Sequence, residues 1–173
     1  LMSSSAYTFL YNSSANSAFS LFEISVILKL KSPFKNSFSS FFNNEDKLLK
    51  ELVENNSNTI KKIPYSTPNF FVENTTTYLE TEEGEIPTSI FGSHNLLNLS
   101  GAQWISQLMG VNISDFYEAI PSFKGASKRL ECQAKGKTSF LFNDFAHAPS
   151  KVKATVDAIE RQFLDYAKGL DHH

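Results

Sequence analysis

Three short polar clusters in this chain combine residue types that can handle a nucleotide. The first, Gly92-Ser93-His94-Asn95-Leu96-Leu97-Asn98, opens a helical pattern. His94 and Asn98 are four apart and share one face of its first turns. An Asn amide carries both a donor and an acceptor, which match the edge of an adenine. The second cluster, Phe123-Lys124-Gly125-Ala126-Ser127-Lys128-Arg129-Leu130-Glu131, sets two cations, Lys128 and Arg129, beside a glycine hinge. A guanidinium suits bidentate contact with phosphate. The third, Asn143-Asp144-Phe145-Ala146-His147-Ala148-Pro149, stands where an apolar run hands over to a helical pattern. Ligands in open α/β sheets sit beyond the carboxyl ends of strands, at the positive ends of the helices that follow. An Asp placed there can accept from both hydroxyls of a ribose, and His147 can pack on a base or donate to a phosphate.

Each cluster also has a purely structural explanation. Ser93 or Asn95 can cap the helix, with His94 and Asn98 a chance polar face; here structure and function stand level. Lys128 and Arg129 can be surface charges on a solvated linker, which is the usual case. Asp144 can help cap the next helix while His147 is a satisfied loop histidine, and spacing alone favours that explanation. Lys61-Lys62 and Glu82-Glu83 read as solvated strand ends. Cys132 lies in a predicted strand with no basic neighbour in sequence, so it reads as core and not as a nucleophile.

The elements that must position these clusters follow from periodicity. Glu23 to Lys31 alternates and predicts a strand with one wetter face. Asn44 to Asn55 predicts a helix capped by Asn44, with Leu48, Leu49, Leu52 and Val53 on one face. Short β-prone runs follow at Ile60–Tyr65, Asn69–Glu73, Thr76–Thr81 and Ile86–Phe91, a strand and then a small antiparallel meander. His94 to Met109 is helical, with Leu97, Gly101, Trp104, Ile105 and Leu108 on one side and Gly110 as its stop. A second helix is expected over Ser114–Ile120, ending before Pro121. Arg129–Lys135 and Thr138–Asn143 predict a hairpin, and Pro149 suits the first residue of a last helix. The buried stripe of that helix is expected at Val152, Thr155, Val156, Ile159 and Phe163. Gly169 to His173 reads as a fraying tail, and His172-His173 as the remnant of a tag.

Bulk properties narrow the function classes. The chain has 173 residues and a net charge of −2, so neither nucleic acid nor an anionic membrane is expected as the main partner. A single cysteine allows no internal disulfide and no Cys-based zinc cluster. The Asn-x-Ser/Thr triplets of so Asn- and Ser-rich a chain carry no weight as glycosylation sites. Phe19 to Leu30 is too short and too charged for a membrane span or a signal peptide. A cytoplasmic setting is expected.

In their order along the chain, the clusters resemble the motifs of one family. Gly92-x-His94-Asn95-x-x-Asn98, Phe123-x-Gly125 with Lys128-Arg129-Leu130-Glu131, and Asp144-Phe145-Ala146-His147-x-Pro149 are similar to those of the Mur ligases. These are ATP-dependent enzymes that join amino acids or peptides to UDP-N-acetylmuramate in peptidoglycan synthesis. Arg-Leu-Glu and Asp-Phe-Ala-His look most like the muropeptide-recycling branch, UDP-N-acetylmuramate:L-alanyl-γ-D-glutamyl-meso-diaminopimelate ligase. The UDP-N-acetylmuramate–L-alanine ligases look like near neighbours. The likeness runs roughly from Ser37 to Phe163.

The resemblance implies an α/β fold in two parts. Residues 37–125 would be the later half of a central ATP-binding domain, a sheet with a small antiparallel meander and flanking helices. Residues 126–173 would be the first β-β-α of a Rossmann-like C-terminal domain, and residues 1–36, Ser- and Phe-rich, stay unassigned. Asn98, with His94, would face the adenine and ribose. Lys128 and Arg129 would approach the phosphates from the hinge, Asp144 would hold the ribose, and His147 would line the same cleft. ATP and Mg2+ are the implied cofactors of the full-length parent, UDP-N-acetylmuramate and an amino acid or peptide its substrates, and an acyl-phosphate its intermediate.

This sequence departs from the family pattern at several points. The phosphate loop, Gly-x-x-Gly-Lys-Thr/Ser, is absent, as are counterparts of the magnesium-binding Glu and the modified Lys that follow it. Ala148 stands where the family often has a second His, Asn143 where it has an acid, and Lys151 where it has an acid. The chain is therefore expected to be a fragment of a ligase that does not itself turn over ATP and binds nucleotide weakly. The alternative is a non-catalytic remnant that self-associates through exposed sheet surface.

Overall fold

The computed structural model describes residues 7–12, 24–31, 38–137 and 139–170. The tail at 171–173, with His172 and His173, lies outside them. Two compact units emerge: the first joins the described residues up to Ser66 with Leu97–Ile113, and the second joins Thr67–Leu96 with Ser114 onward. The domain boundary expected at 125/126 falls inside the second unit. The two divisions have different grounds, packing in one case and family likeness in the other.

The first unit is built on a four-stranded sheet, β1 (Tyr7–Asn12), β2 (Ile24–Lys31), β3 (Phe38–Asn43) and β4 (Lys61–Tyr65), in that order. β1, β2 and β3 pair antiparallel, and β3 pairs parallel with β4. A parallel pair needs a crossover, and helix α1 (Lys47–Glu54) supplies it. The N-cap of this helix is not the expected Asn44 but Asp46, whose carboxylate accepts from the Leu49 amide at 3.0 Å. The Asn44 amide instead donates to the Tyr65 carbonyl, so this residue extends the β3–β4 pairing. Leu49 and Val53 pack on Phe42. Leu48 and Leu52 do not share that face as expected and are 40% and 44% exposed.

The second unit begins with the meander, β5 (Phe70–Glu73), β6 (Thr76–Thr81) and β7 (Gly84–Thr88), antiparallel throughout. Asn74 and Thr75 form the two-residue β5–β6 loop, both with positive φ, 48° and 62°, as a tight hairpin turn requires. β7 closes three residues before the expected Phe91. Helix α2 (Ser93–Leu108) gives its first turn to this unit and the remainder to the first, and Gly110, φ 98°, follows its last turn. Helix α3 (Ile113–Ala119) passes into a 3-10 turn at Ile120–Ser122 that takes in Pro121.

After a loop come β8 (Glu131–Lys135) and β9 (Phe140–Asn143), antiparallel, and then helix α4 (Pro149–Leu170). The expected β-β-α is thus present, with Pro149 at its expected place. The buried face of α4 is rotated from the expected one. Ala158 and Gln162 are buried with Thr155, Ile159 and Phe163 beside them, while Val152 and Val156 are each 46% exposed. Phe91, Leu130 and Ala158 form the core here, with Phe142, Ile159 and Phe163 packed against it. Cys132, expected in the core, is exposed. Every residue of β8 is exposed, since among the described residues β8 pairs only with β9. No helix among the described residues is long and apolar enough to cross a membrane.

Candidate functional site

The loop that enters β8 is the most contorted stretch of the second unit. Lys128 and Leu130 both have left-handed backbones, φ 59° and 48°, without being glycine, and Gly125 has φ 83°. Side chains longer than glycine's adopt this region at a cost of about 1 kcal/mol or more each. Local bonds hold the conformation. The Lys128 amide donates to Glu131 Oε2 at 2.8 Å, and the Arg129 amide donates to the Ala126 carbonyl at 3.2 Å. Leu130 is buried in the core while Lys128 and Arg129 are exposed. Alternating the backbone hand around Arg129 drops Leu130 inward and leaves both cations at the surface.

Asp144 follows the last residue of β9 and is half-buried. Its Oδ1 accepts from the Leu130 amide at 3.1 Å, and its Oδ2 accepts from the Thr155 hydroxyl at 2.5 Å. The second distance is typical of a hydroxyl bonded to a carboxylate. Thr155 lies in the second turn of α4, so Asp144 reaches past the first turn. It ties the entry of β8, the exit of β9 and α4 together. Each carboxylate oxygen has two lone-pair sites and spends one here, so acceptor capacity for two further hydroxyls is retained.

His94 sits in the first turn of α2, whose start is fixed by Gly92. Gly92 has φ 84°, and its carbonyl accepts from the Asn95 and Leu96 amides. A Cβ on Gly92 would stand 2.8 Å from Ala158 Cβ and 3.3 Å from His94 Cε1. Only glycine lets α2 begin this close to α4. The Asn95 side chain donates to the Phe91 carbonyl at 3.0 Å, which agrees with a local role for Asn95. Burial lowers the pKa of His94 below the ordinary value; Asp144 opposes this, while Lys151 and Arg129 add to it. Asp144, Arg129 and Lys151 are therefore near enough to His94, in the same unit, to influence its charge. In the sequence Lys151 stands out only as a departure from the family pattern.

His147 is exposed, its Nδ1 is 3.0 Å from the Phe145 carbonyl oxygen, and its ring meets the Phe145 ring edge-on with centroids 5.3 Å apart. Asn98 is one turn beyond His94 on α2, exposed, in the first unit. The second unit thus brings together His94, Arg129 and Asp144, with Lys128 in the same loop as Arg129. A groove of about 380 Å³ in this unit, lined by Thr88, Phe91, Cys132, Phe142, Gln162 and Phe163 among others, contains none of the candidates.

A half-buried carboxylate with free acceptor sites and an imidazole that burial keeps neutral suit the nucleoside end of ATP. For the triphosphate end the residues offer the exposed cations Lys128 and Arg129 but no phosphate loop. The one Gly-Lys-Thr triplet begins at Gly136, in the β8–β9 connection, where the Gly136 amide donates to the Ser139 carbonyl and a strand follows. A phosphate loop instead leads into a helix whose N-terminus faces the anion. Among the described residues no group of three or more His, Cys, Asp or Glu is placed to hold a metal ion, so these residues offer no cage for Mg2+.

No family model matches the chain. Curated relatives do. A UDP-N-acetylmuramate–L-alanine ligase of Persephonella marina is 39% identical over 80 residues, 46% of this chain and 17% of that protein. The enzyme of the same name from Cyanothece sp. is 33% identical over 75 residues, 43% of this chain and 16% of that protein. The matched segments thus span less than a fifth of these relatives. Among solved structures, a glycine-to-serine mutant of L. casei FPGS superposes with a TM-score of 0.51 at 13% identity, over 71% of this chain and 34% of that one, a likeness of fold. The mixed α/β fold expected from sequence is present, and over close to half of its length this chain is similar to Mur ligases, with the matching relatives in the L-alanine-adding branch.

Proposed function

We propose that this chain supplies one wall of the nucleotide cleft of a Mur-type ligase, an enzyme that activates a carboxylate with ATP and joins an amino acid or peptide to UDP-N-acetylmuramate in the cytoplasm. What supports this is the hydrogen bond from the Leu130 amide to Asp144, which ties the third cluster to the residue beside Arg129, with His94 near enough to Asp144 and Arg129 to feel their charge. Asp144 would accept from the ribose hydroxyls through its remaining lone pairs. Arg129, with Lys128, would take a phosphate oxygen. His94, neutral at pH 7, would offer a ring face and one N–H without the cost of a buried charge. His147 would complete the base contacts within the second unit. ATP would supply the leaving group that makes the acyl-phosphate, and Mg2+ would offset phosphate charge. The phosphate loop that would hold the β- and γ-phosphates, and the groups that would choose the amino acid, are not among the residues of this chain.

The chain by itself is accordingly a nucleotide binder without turnover, a role the missing phosphate loop favours. ATP consumption by the pure protein, with Mg2+, UDP-N-acetylmuramate and L-alanine present, should stay at the level of a protein-free control. Sustained phosphate release that Asp144→Ala removes would overturn this.

A further inference from the structure

We infer that Thr155 is a positioning residue for this cleft, acting on the nucleotide through Asp144 and never touching it. This rests on the nucleotide reading of the site. The geometry is a relay of hydrogen bonds. Thr155 Oγ1 donates to Asp144 Oδ2 at 2.5 Å, and Asp144 Oδ1 accepts from the Leu130 amide at 3.1 Å. Arg129 is the residue before Leu130, and its direction is set by the left-handed backbones on either side of it. One hydroxyl on α4 therefore fixes both the rotamer of the ribose-binding carboxylate and the loop that presents the phosphate-binding cation.

Thr155 can do this only if α4 cannot rotate or slide. Gln162 prevents both. It lies seven residues on, close to two turns, and so on the same face. It is buried, its Oε1 accepts from the wholly buried Thr77 hydroxyl at 2.9 Å, and its Nε2 donates to the Thr75 carbonyl at 2.8 Å. The neighbouring Arg161 lays its guanidinium over the Phe70 ring, 4.2 Å from the centroid. The meander grips α4 by polar contacts with defined geometry, and α4 hands that registration to Asp144 through Thr155. The left-handed Leu130 backbone would relax if its amide lost this partner.

The test compares Thr155→Val, which keeps the shape and removes the hydroxyl, with Thr155→Ser, which keeps the hydroxyl. Two quantities are measured on the full chain: hydrogen exchange of the Leu130 amide, and affinity for ATP. Thr155→Val should speed Leu130 exchange and weaken ATP binding about tenfold, the effect of one charge-assisted hydrogen bond; Thr155→Ser should restore both. Thr155→Ala gives the same readouts if the valine variant does not fold. The inference is overturned if Leu130 exchange is unchanged, if affinity is unchanged while exchange rises, or if serine fails to rescue. If the unsubstituted chain binds no ATP, the nucleotide reading fails and this inference fails with it, while the exchange arm still shows whether the relay exists.

Discussion

Thr77 and Gln162, 85 residues apart in sequence, meet through a hydrogen bond of 2.9 Å in a place where neither side chain reaches water, being 0% and 6% exposed. The Gln162 amide also holds the carbonyl of Thr75, a β-branched residue with φ 62°. A single side chain thus satisfies one buried and one part-buried partner and restrains a strained turn.

Replacing Gln162 by Leu removes both bonds at once and leaves the Thr77 hydroxyl and Thr75 carbonyl without their partner. Each such loss costs about 1–3 kcal/mol. Urea unfolding of Gln162→Leu should show a loss of at least about 2 kcal/mol. Adding Thr77→Val should recover part of it, because the orphaned hydroxyl then disappears.

Gly92→Ala should be among the most damaging small substitutions in the chain. The added Cβ would stand 2.8 Å from Ala158 Cβ, and φ is 84°. Overpacking and backbone strain together predict about 2–4 kcal/mol of destabilisation. Gly92→Ala with Ala158→Gly should relieve the contact and keep the backbone strain, so that thermal unfolding falls between the parent and the single variant.

His94 makes stability depend on pH. Its folded pKa is lowered by burial, so the unfolded chain takes up its proton first as pH falls below about 6.5. The unfolded state then binds more protons and stability drops, until the pH reaches the lowered folded pKa and the loss levels off. Urea midpoints should therefore fall from about pH 7.5 to about pH 5. The His94→Gln variant should show a shallower fall over the same range.

Lys128→Gly separates strain from charge. The left-handed backbone at Lys128, φ 59°, suits glycine better, so stability should be unchanged or rise by up to about 1 kcal/mol. ATP affinity should decline, since the loop loses a cation proposed to contact the phosphates. A protein that becomes more stable while binding nucleotide less well would identify the lysine as retained for binding.

Much of the architecture is legible in the residues. The meander shows as alternation broken by Pro68, Asn74 and Gly84, and the end of α2 as Gly110. Pro149 marks the start of α4, and the hairpin before it shows as two β-prone runs around Gly136. What periodicity misplaces is the inner face of α4. Val152 and Val156 look like core, but Gly92 allows α2 to approach only a small residue, and that residue is Ala158. Once Ala158 faces inward, Gln162 must follow one turn later, and a buried glutamine gives no hydropathy signal. Cys132 misleads for the complementary reason, since its strand has only one pairing partner among the described residues.

The candidate residues are legible as three polar clusters. The hydrogen bonds that tie them together are not. Asp144 bonds to Leu130 and Thr155, 14 and 11 residues away, and such partners are chosen by folding, not by local spacing. The positive φ values of Lys128 and Leu130 have no glycine to announce them. Lys151, near enough to influence His94, is visible in the sequence only as an exception to a motif.

The most direct measurement is chemical-shift mapping of the 15N-labelled chain titrated with ATP, without and with Mg2+. The account predicts weak, saturable shifts concentrated at His94, Lys128, Arg129, Asp144 and His147, largely lost in Asp144→Ala and little changed by the metal. Saturable shifts centred elsewhere, such as the groove beside Cys132 and Phe163, or no shifts at millimolar ATP, would contradict it.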